Sequence, residues 1–414
     1  MTSERGSGAG GLPLGEGHAE GGRTRRSDLD ALRGFAMLLG IAVHASVAYF
    51  SCPWPVQDPR QSGWLALGFG VVHGFRMPLF FLLSGFFTML VRQRRGLREL
   101  LRQRALRILL PLAIACLTIL PLDRVVMAWT MGISPGSIFE PLPMPTDTNP
   151  PEPGLRQRPL DSIAGSYRRW LESPVRVVDI GGHRVQVFTT DVFDHLWFLW
   201  YLCWLVAAFA VAEVIGFGPT GPNRWWLVPA SCLPYVGMQT YFGPETALGL
   251  LPAPHLLLYY GCFFWFGAAS YAADGPGTLL GRRWPFVLPL SLLVILPAGL
   301  ATMGDRALAS TLQPAYAWGM SLGLIGLFHR FCSRPSDRVR WLSDASYWMY
   351  LIHLPVVIVF QALLRGLPWP AGWKFLAALT ATVVVSLVSY QWCVRYTLIG
   401  RVLNGPRSPR GSTG

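Results

Sequence analysis

Asp28-Leu-Asp-Ala-Leu-Arg33-Gly-Phe-Ala-Met-Leu-Leu-Gly-Ile-Ala-Val-His44 places an arginine and a histidine inside an otherwise apolar run. Eleven steps of roughly 100° bring the two side chains back to within about 20° of one another, so in a helix they share a stripe. A rise of about 1.5 Å per residue sets them roughly 16 Å apart along the axis, about half the hydrocarbon thickness of a bilayer. One sits near an interface and the other near mid-membrane, where an ionisable group is costly and normally faces a cavity or a partner.

The rest of the chain suits a membrane setting. It has 414 residues, 52% hydrophobic and 14% charged, which is too apolar for a soluble protein of that length. The net charge of +13 comes from arginines clustered in short segments between apolar runs. That pattern orients a membrane protein and does not point to nucleic acid. Seven cysteines show no metal-ligand spacing and mostly fall in apolar runs, so they read as small core residues. Residues 1–27, rich in Gly, Arg and Ser, lack an apolar core of signal-peptide length. They are expected to be a disordered cytoplasmic tail, matched by a second tail at 401–414, around a membrane domain at 28–400.

The predicted fold is an all-α polytopic membrane protein with about ten transmembrane helices and both termini cytoplasmic. The apolar runs are 31–50, 67–91, 105–122, 193–217, 224–242, 254–273, 285–303, 309–332, 346–364 and 375–397. With the N-terminus inside, the inner segments collect Arg92, Arg94, Arg95, Arg98, Arg102, Arg104, Arg282, Arg283, Arg334, Arg338 and Arg340. The short outer connections hold only Arg60, Arg306, Arg365 and Lys374. The fifth run is the weakest span, because Pro229 and Pro234 interrupt it. One outer loop, 123–192, is long. It opens Pro-rich and closes on two β-branched runs around Gly181-Gly182, which predict a β-hairpin. A loop of that length suits a lid or an acceptor platform.

On this topology His44 on the first helix and His73 and Arg76 on the second come to nearly the same depth, and His73 and Arg76 (i, i+3) can share a face. The bland reading of Arg76 is a pin that bonds helix carbonyls. Asp28 and Asp30 are read as an N-terminal cap or as partners of Arg33. Ser84-Gly85 lacks a nucleophile elbow and reads as small-residue helix packing. Glu213 and Glu245 look isolated near the interfaces. No metal-binding motif is present, so no metal is expected.

The Leu29-Asp-Ala-Leu-Arg-Gly34 opening, with Arg33 and His44 spaced as above, resembles the first helix of the acyltransferase-3 family of integral membrane acyltransferases. Phe75-Arg-Met-Pro-Leu-Phe-Phe-Leu-Leu-Ser-Gly-Phe86, His195-Leu-Trp-Phe-Leu-Trp-Tyr201 and Ser346-Tyr-Trp-Met-Tyr-Leu-Ile-His-Leu-Pro355 resemble its glucans biosynthesis protein C-like branch. The resemblance covers nearly the whole chain. It implies an acyl-CoA co-substrate, succinyl-CoA or acetyl-CoA, and an extracytoplasmic carbohydrate acceptor. It also implies a bacterial cytoplasmic (inner) membrane location, His44 as catalytic base and Arg33 at the acyl donor.

Acyl transfer to a hydroxyl needs a base and oxyanion donors. Histidine suits the first task, and Arg76 or His73 can orient the acceptor or hold developing charge. Arg33 can hold a phosphate or amide of coenzyme A, since about 16 Å matches an extended pantetheine arm. Arg104 and Arg107 add cationic donors for its phosphates, or serve orientation alone. Tyr350 and His353 (i, i+3) fall at the depth expected of the pantetheine arm, in a motif the resemblance also marks. His195 and Trp197, at the outer start of the fourth helix, are candidates for stacking on a sugar acceptor, although an aromatic belt explains tryptophans there equally well. The rival classes are a transporter or exporter, whose mid-membrane charges would form a substrate path, and a structural partner with a vestigial site. The partners expected are lipid, acyl-CoA and a glycan. Oligomeric state is left open, with a homodimer among the options.

Overall fold

The structure, a computed structural model, describes residues 26–132, 159–180, 183–219, 223–238, 242–275 and 280–404. Nearly all of the two expected tails and the Pro-rich opening of the outer loop lie outside them.

The Asp28–His44 stretch is helical, within α1 (Ser27–Ser46). It contains no proline, and it closes where Ser46 Oγ donates back to the Val43 carbonyl at 2.7 Å. α2 (Gly63–Arg104) runs for 42 residues, about 63 Å at the α-helical rise and twice a hydrocarbon core. It is two helices joined at Gly96, whose φ of 80° and ψ of 170° suit a residue without a Cβ. Arg104 donates to Thr88 Oγ1 at 3.0 Å. These two residues are equidistant from Gly96, so the chain reverses there. The inner loop expected between the second and third spans is therefore helical. It passes through a π-helical turn at Ala105–Leu109 into α3 (Leu110–Met131), well beyond the expected end at 122.

In the outer loop, α4 (Pro159–Leu171) precedes β1 (Val177–Ile180) and β2 (His183–Gln186), an antiparallel hairpin with Val177 opposite Gln186. Two ion pairs at 2.8 Å fasten α4 to the bundle, Arg168 with Glu245 and Arg306 with Asp161. Burial pushes the Tyr167 phenol up, so its hydroxyl stays protonated where it meets His255 Nδ1 at 2.9 Å. Glu245 is thus not isolated, and neither is Glu213, which pairs with Arg92 at 2.8 Å.

α5 (Trp197–Val214) is continuous. The fifth expected span is not. It folds as α6 (Leu227–Ala230) and α7 (Cys232–Tyr235), broken at Ser231, with Pro229 and Pro234 each removing a helical N–H. It still runs antiparallel to α8 (Pro254–Asp274). Trp225 meets Phe266, Tyr235 meets Tyr259, and Gly237 lies against His255. The remaining elements are α9 (Trp284–Leu290), α10 (Leu296–Ala301), α11 (Arg306–Cys332), α12 (Asp337–Arg365), α13 (Ala371–Ser389) and α14 (Leu398–Asn404). A π-helical turn links α9 to α10. α14 includes residues assigned above to the C-terminal tail. Among the described residues, seven helical segments are long and apolar enough to cross a bilayer, the double-length Gly63–Met131 counted once and α11 not included. The chain is an all-α multi-pass membrane protein.

Contacts fix the directions. α12 runs parallel to α1, since Arg33 meets Ser343 and His44 meets His353. α11 runs antiparallel to α1, with His329 at Asp28. α2 lies parallel to α8, with Phe81 on Tyr260 and Phe86 on Tyr271. Arg26 and Leu29 lie with Leu82, Phe86, Leu280 and Ile325, and Gly281 lies against Gly326, so one end of the bundle carries the start of α1, the Gly96 end of α2, the start of α9 and the start of α12, which gathers the arginine-rich segments together.

α2 and α8 touch backbone to backbone. A Cβ at Gly85 would lie 1.8 Å from the Phe264 carbonyl oxygen, and one at Gly267 would lie 2.0 Å from that of Leu82. Small residues drive this kind of contact in membranes, where lipid is as apolar as the helices. Gly85→Ala must push the helices apart. We expect a loss of about 1–3 kcal/mol, read as a lower melting temperature in detergent, and an unchanged melting curve would refute the contact.

Candidate active site

His44 and His353 reach the same level for a simple reason. His44 is seventeen residues into α1 and His353 sixteen into α12, about 24–26 Å from neighbouring helix starts. α12 begins well before 346, so His353 lies deeper than the sequence reading placed it. The two imidazole centroids are 5.1 Å apart. On the other side His44 stacks on Trp54, with centroids 5.7 Å apart and planes at 24°.

The backbone around His44 is held as firmly. Gln361, 1% exposed, donates to the carbonyls of His44 and Ala45 at 2.9 and 3.1 Å and accepts Trp54 Nε1–H at 2.8 Å. It thereby satisfies acceptors that the end of α1 leaves open. The His44 side chain is half-buried, and its Nδ1 is buried with no hydrogen-bond partner among the described residues.

Arg76 lies across α1 one turn from His44. A Cβ at Gly40 would stand 2.7 Å from its guanidinium, so a larger residue there would have to displace the tip of the arginine. Arg76 is half-buried, within electrostatic reach of His44 and Tyr350. His73 points elsewhere. Its Nε2 meets the Pro244 carbonyl at 2.8 Å and its ring stacks on Phe69 at 4.9 Å, so it anchors the 242–244 turn.

His195 and Trp197 do not face an outer mouth. Trp197 is buried among Phe81, Tyr201 and Tyr260, which leaves no face for a sugar. His195 is also buried, with its ring centroid 5.1 Å from that of His353. Its Nε2 meets the Leu351 carbonyl at 3.0 Å, and its own carbonyl accepts the Tyr350 hydroxyl at 2.6 Å. Behind it stands Asp123, fully buried, with Oδ2 3.4 Å from His195 Nδ1. The turn that brings His195 inward passes through Asp194 at φ 43°. That conformation is costly for a residue with a Cβ and is held by Asp191 Oδ1, which accepts its N–H at 2.9 Å, and by Arg124, which donates to Asp194 Oδ1 at 2.7 Å.

Toward the other end, Arg33 donates to Ser343 Oγ at 2.7 Å and to its carbonyl at 3.0 Å, and Ser343 Oγ–H donates to Asp30 at 3.1 Å. Asp30 thus aligns Arg33 through a serine. Asp28 does not cap α1 and instead binds Arg26 and His329. Arg104 bonds Thr88, and the Arg107 carbonyl accepts the Tyr347 hydroxyl at 2.8 Å. Ser343, Tyr347, Tyr350 and His353 follow one another on one face of α12. They form a polar ladder of about 15 Å from Arg33, past Arg104, Arg107 and Arg76, to His44.

Asp123, Gln361 and Trp54 were not singled out in the sequence. Asp123 fell one residue past the expected end of the third span, and a lone carboxylate in a longer apolar helix would have been the signal.

A family model for an acyltransferase domain, acyltransferase-3, matches residues 26–391 and so takes in every one of these residues. The chain belongs to the acyltransferase-3 family. It is similar to glucans biosynthesis protein C of Escherichia coli K12 / DH10B and of Shigella dysenteriae serotype 1, at 22% identity over 411 residues in each case, covering 91% of this chain and 94% of the relative. No solved structure matches it. Membership of the acyltransferase-3 family makes the chain an acyltransferase by class, the reading set above against a transporter or exporter.

Proposed function

We propose that the chain transfers an acyl group, succinyl or acetyl, from cytoplasmic acyl-CoA to a hydroxyl of an extracytoplasmic glycan, at the inner membrane of a bacterium with both termini in the cytoplasm. The observation that carries this reading is the placement of His44. Its half-buried ring sits between α1 and α12 with Arg76 one turn away. A base and a cation at one level, in a low-dielectric surround, are what hydroxyl attack on a thioester requires.

The thioester carbon accepts the hydroxyl oxygen while the hydroxyl proton passes to His44. Arg76 faces the charge that develops on the carbonyl oxygen. The carbon–sulfur bond then breaks and the departing sulfur takes the proton, giving ester and free thiol. The ladder on α12 supports delivery of the thioester from the arginine-rich end, with Arg33, Arg104 and Arg107 at the coenzyme A phosphates and Tyr350 beside the arm. The name of the curated relatives favours a glucan as acceptor.

Cells with and without the protein, compared by mass spectrometry of their extracytoplasmic glucans, should differ by the mass of one ester substituent, and identical spectra would sink the acceptor assignment. Arg33→Ala tests the donor end. Losing a charge-assisted bond to a phosphate should raise KM for acyl-CoA about tenfold or more, with kcat nearly unchanged. A fall in kcat at constant KM would remove Arg33 from the donor site.

A further inference from the structure

Pro355 lies inside α12 and has no N–H to offer the Leu351 carbonyl four residues back. His195 Nε2 takes that oxygen at 3.0 Å. A carbonyl only accepts, so His195 carries a proton on Nε2, while its Nδ1 lies 3.4 Å from Asp123 Oδ2 without a hydrogen bond among the described residues. The Tyr350 hydroxyl bonds the His195 carbonyl in return, and this reciprocal pair fixes the turn of α12 that carries His353. On that turn, His353 Nδ1 meets the carbonyls of Tyr350 at 2.8 Å and Met349 at 3.2 Å. The same logic puts its proton on Nδ1 and leaves Nε2 as a bare lone pair.

Among the described residues, His353 Nε2 is buried without a hydrogen-bond partner, and so is His44 Nδ1. The ring centroids are 5.1 Å apart, and two imidazoles joined through an N–H···N bond of about 2.9 Å have centroids roughly 5 Å apart. The two orphan nitrogens thus sit on neighbouring rings: they do not meet in hydrogen-bond geometry as the rings stand, but the separation of the rings is that of a bonded pair once the nitrogens face each other.

We propose that His353 is the positioning residue of His44. Its bare Nε2 accepts the His44 Nδ1–H once the two rings turn to face each other, and the bonds between His195 and the Leu351–Tyr350 turn hold it in place. The inference rests on the reading of His44 as the base. With its proton committed to Nδ1, His44 presents an unprotonated Nε2 to the hydroxyl, the tautomer that catalysis needs. When Nε2 takes the hydroxyl proton, the Nδ1–H of the imidazolium stays bonded to His353 until the sulfur leaves with the proton from Nε2. Among the described residues no carboxylate is bonded to His44, so a neutral ring does the work an aspartate does in many triads.

The test uses the full-length protein in detergent, with acetyl- or succinyl-CoA, a gluco-oligosaccharide and a thiol-release readout. His353→Phe keeps a ring and removes both nitrogens, and kcat should fall about 10- to 100-fold with KM for acyl-CoA within twofold. His353→Gln, which places an amide oxygen near the Nε2 position, should recover most of that loss. His353→Asn, which reaches only the Nδ1 position, should not. A His353→Phe enzyme with kcat within twofold of the parent overturns the proposal, as does equal impairment of all three variants. An inactive His44→Phe enzyme beside a fully active His353→Phe enzyme sinks this inference alone. An active His44→Phe enzyme sinks the reading beneath it.

Discussion

His44→Phe should lower kcat for acyl transfer by about 100-fold or more, the scale of a lost general base, while the protein melts at its usual temperature. Phenylalanine keeps the ring on Trp54 and beside His353 but carries no nitrogen. Little stability is at risk, because Gln361 binds the His44 backbone, not its side chain. Slow hydrolysis of acyl-CoA without acceptor should fall together with transfer, since water needs the same base. Transfer within tenfold of the parent, by thiol release and by mass spectrometry of the ester, would remove His44 from the chemistry.

The largest effect on stability should come from a pair far from the chemistry in sequence. Lys374 Nζ lies 2.6 Å from Asp58 Oδ2, with the two side chains 0% and 2% exposed. Lys374 also donates to the Arg365 carbonyl at 3.1 Å, while Asp58 N–H bonds the Ala48 carbonyl. The pair therefore seals the α1–α2 connection against the α12–α13 connection. Lys374→Met keeps the aliphatic stem and strands a buried carboxylate, which costs about 3–5 kcal/mol. Adding Asp58→Asn removes that charge yet can still accept the Arg60 N–H now bound by Asp58 Oδ1 at 2.9 Å. The double variant should regain more than half of the loss. Detergent melting curves decide this, and a Lys374→Met protein as stable as the parent would show the pair to be solvated.

The helical membrane architecture was legible because apolar run length and arginine placement are one-dimensional signals. Helix ends were harder. Third-span limits drawn at the edge of hydrophobicity left Asp123 outside a helix that continues to Met131, and the start drawn at 346 placed His353 too shallow. Polar residues at helix ends look like loop until tertiary partners are known, as Ser343 and Asp30 show. Pairings across hundreds of residues, such as Gln361 with His44, leave no local pattern at all. The broken fifth span was foreshadowed by its prolines, but its packing along α8 was not.

The reversal at Gly96 bears on how a nucleotide would be met. Because the polypeptide turns back within one residue, the guanidinium groups from Arg92 to Arg107 are mounted on helical turns and not on a tether. Much of the disorder that a floppy cationic loop would have to surrender on gripping a polyphosphate has already been surrendered during folding. Arrival of the nucleotide should therefore leave this corner of the molecule almost unmoved.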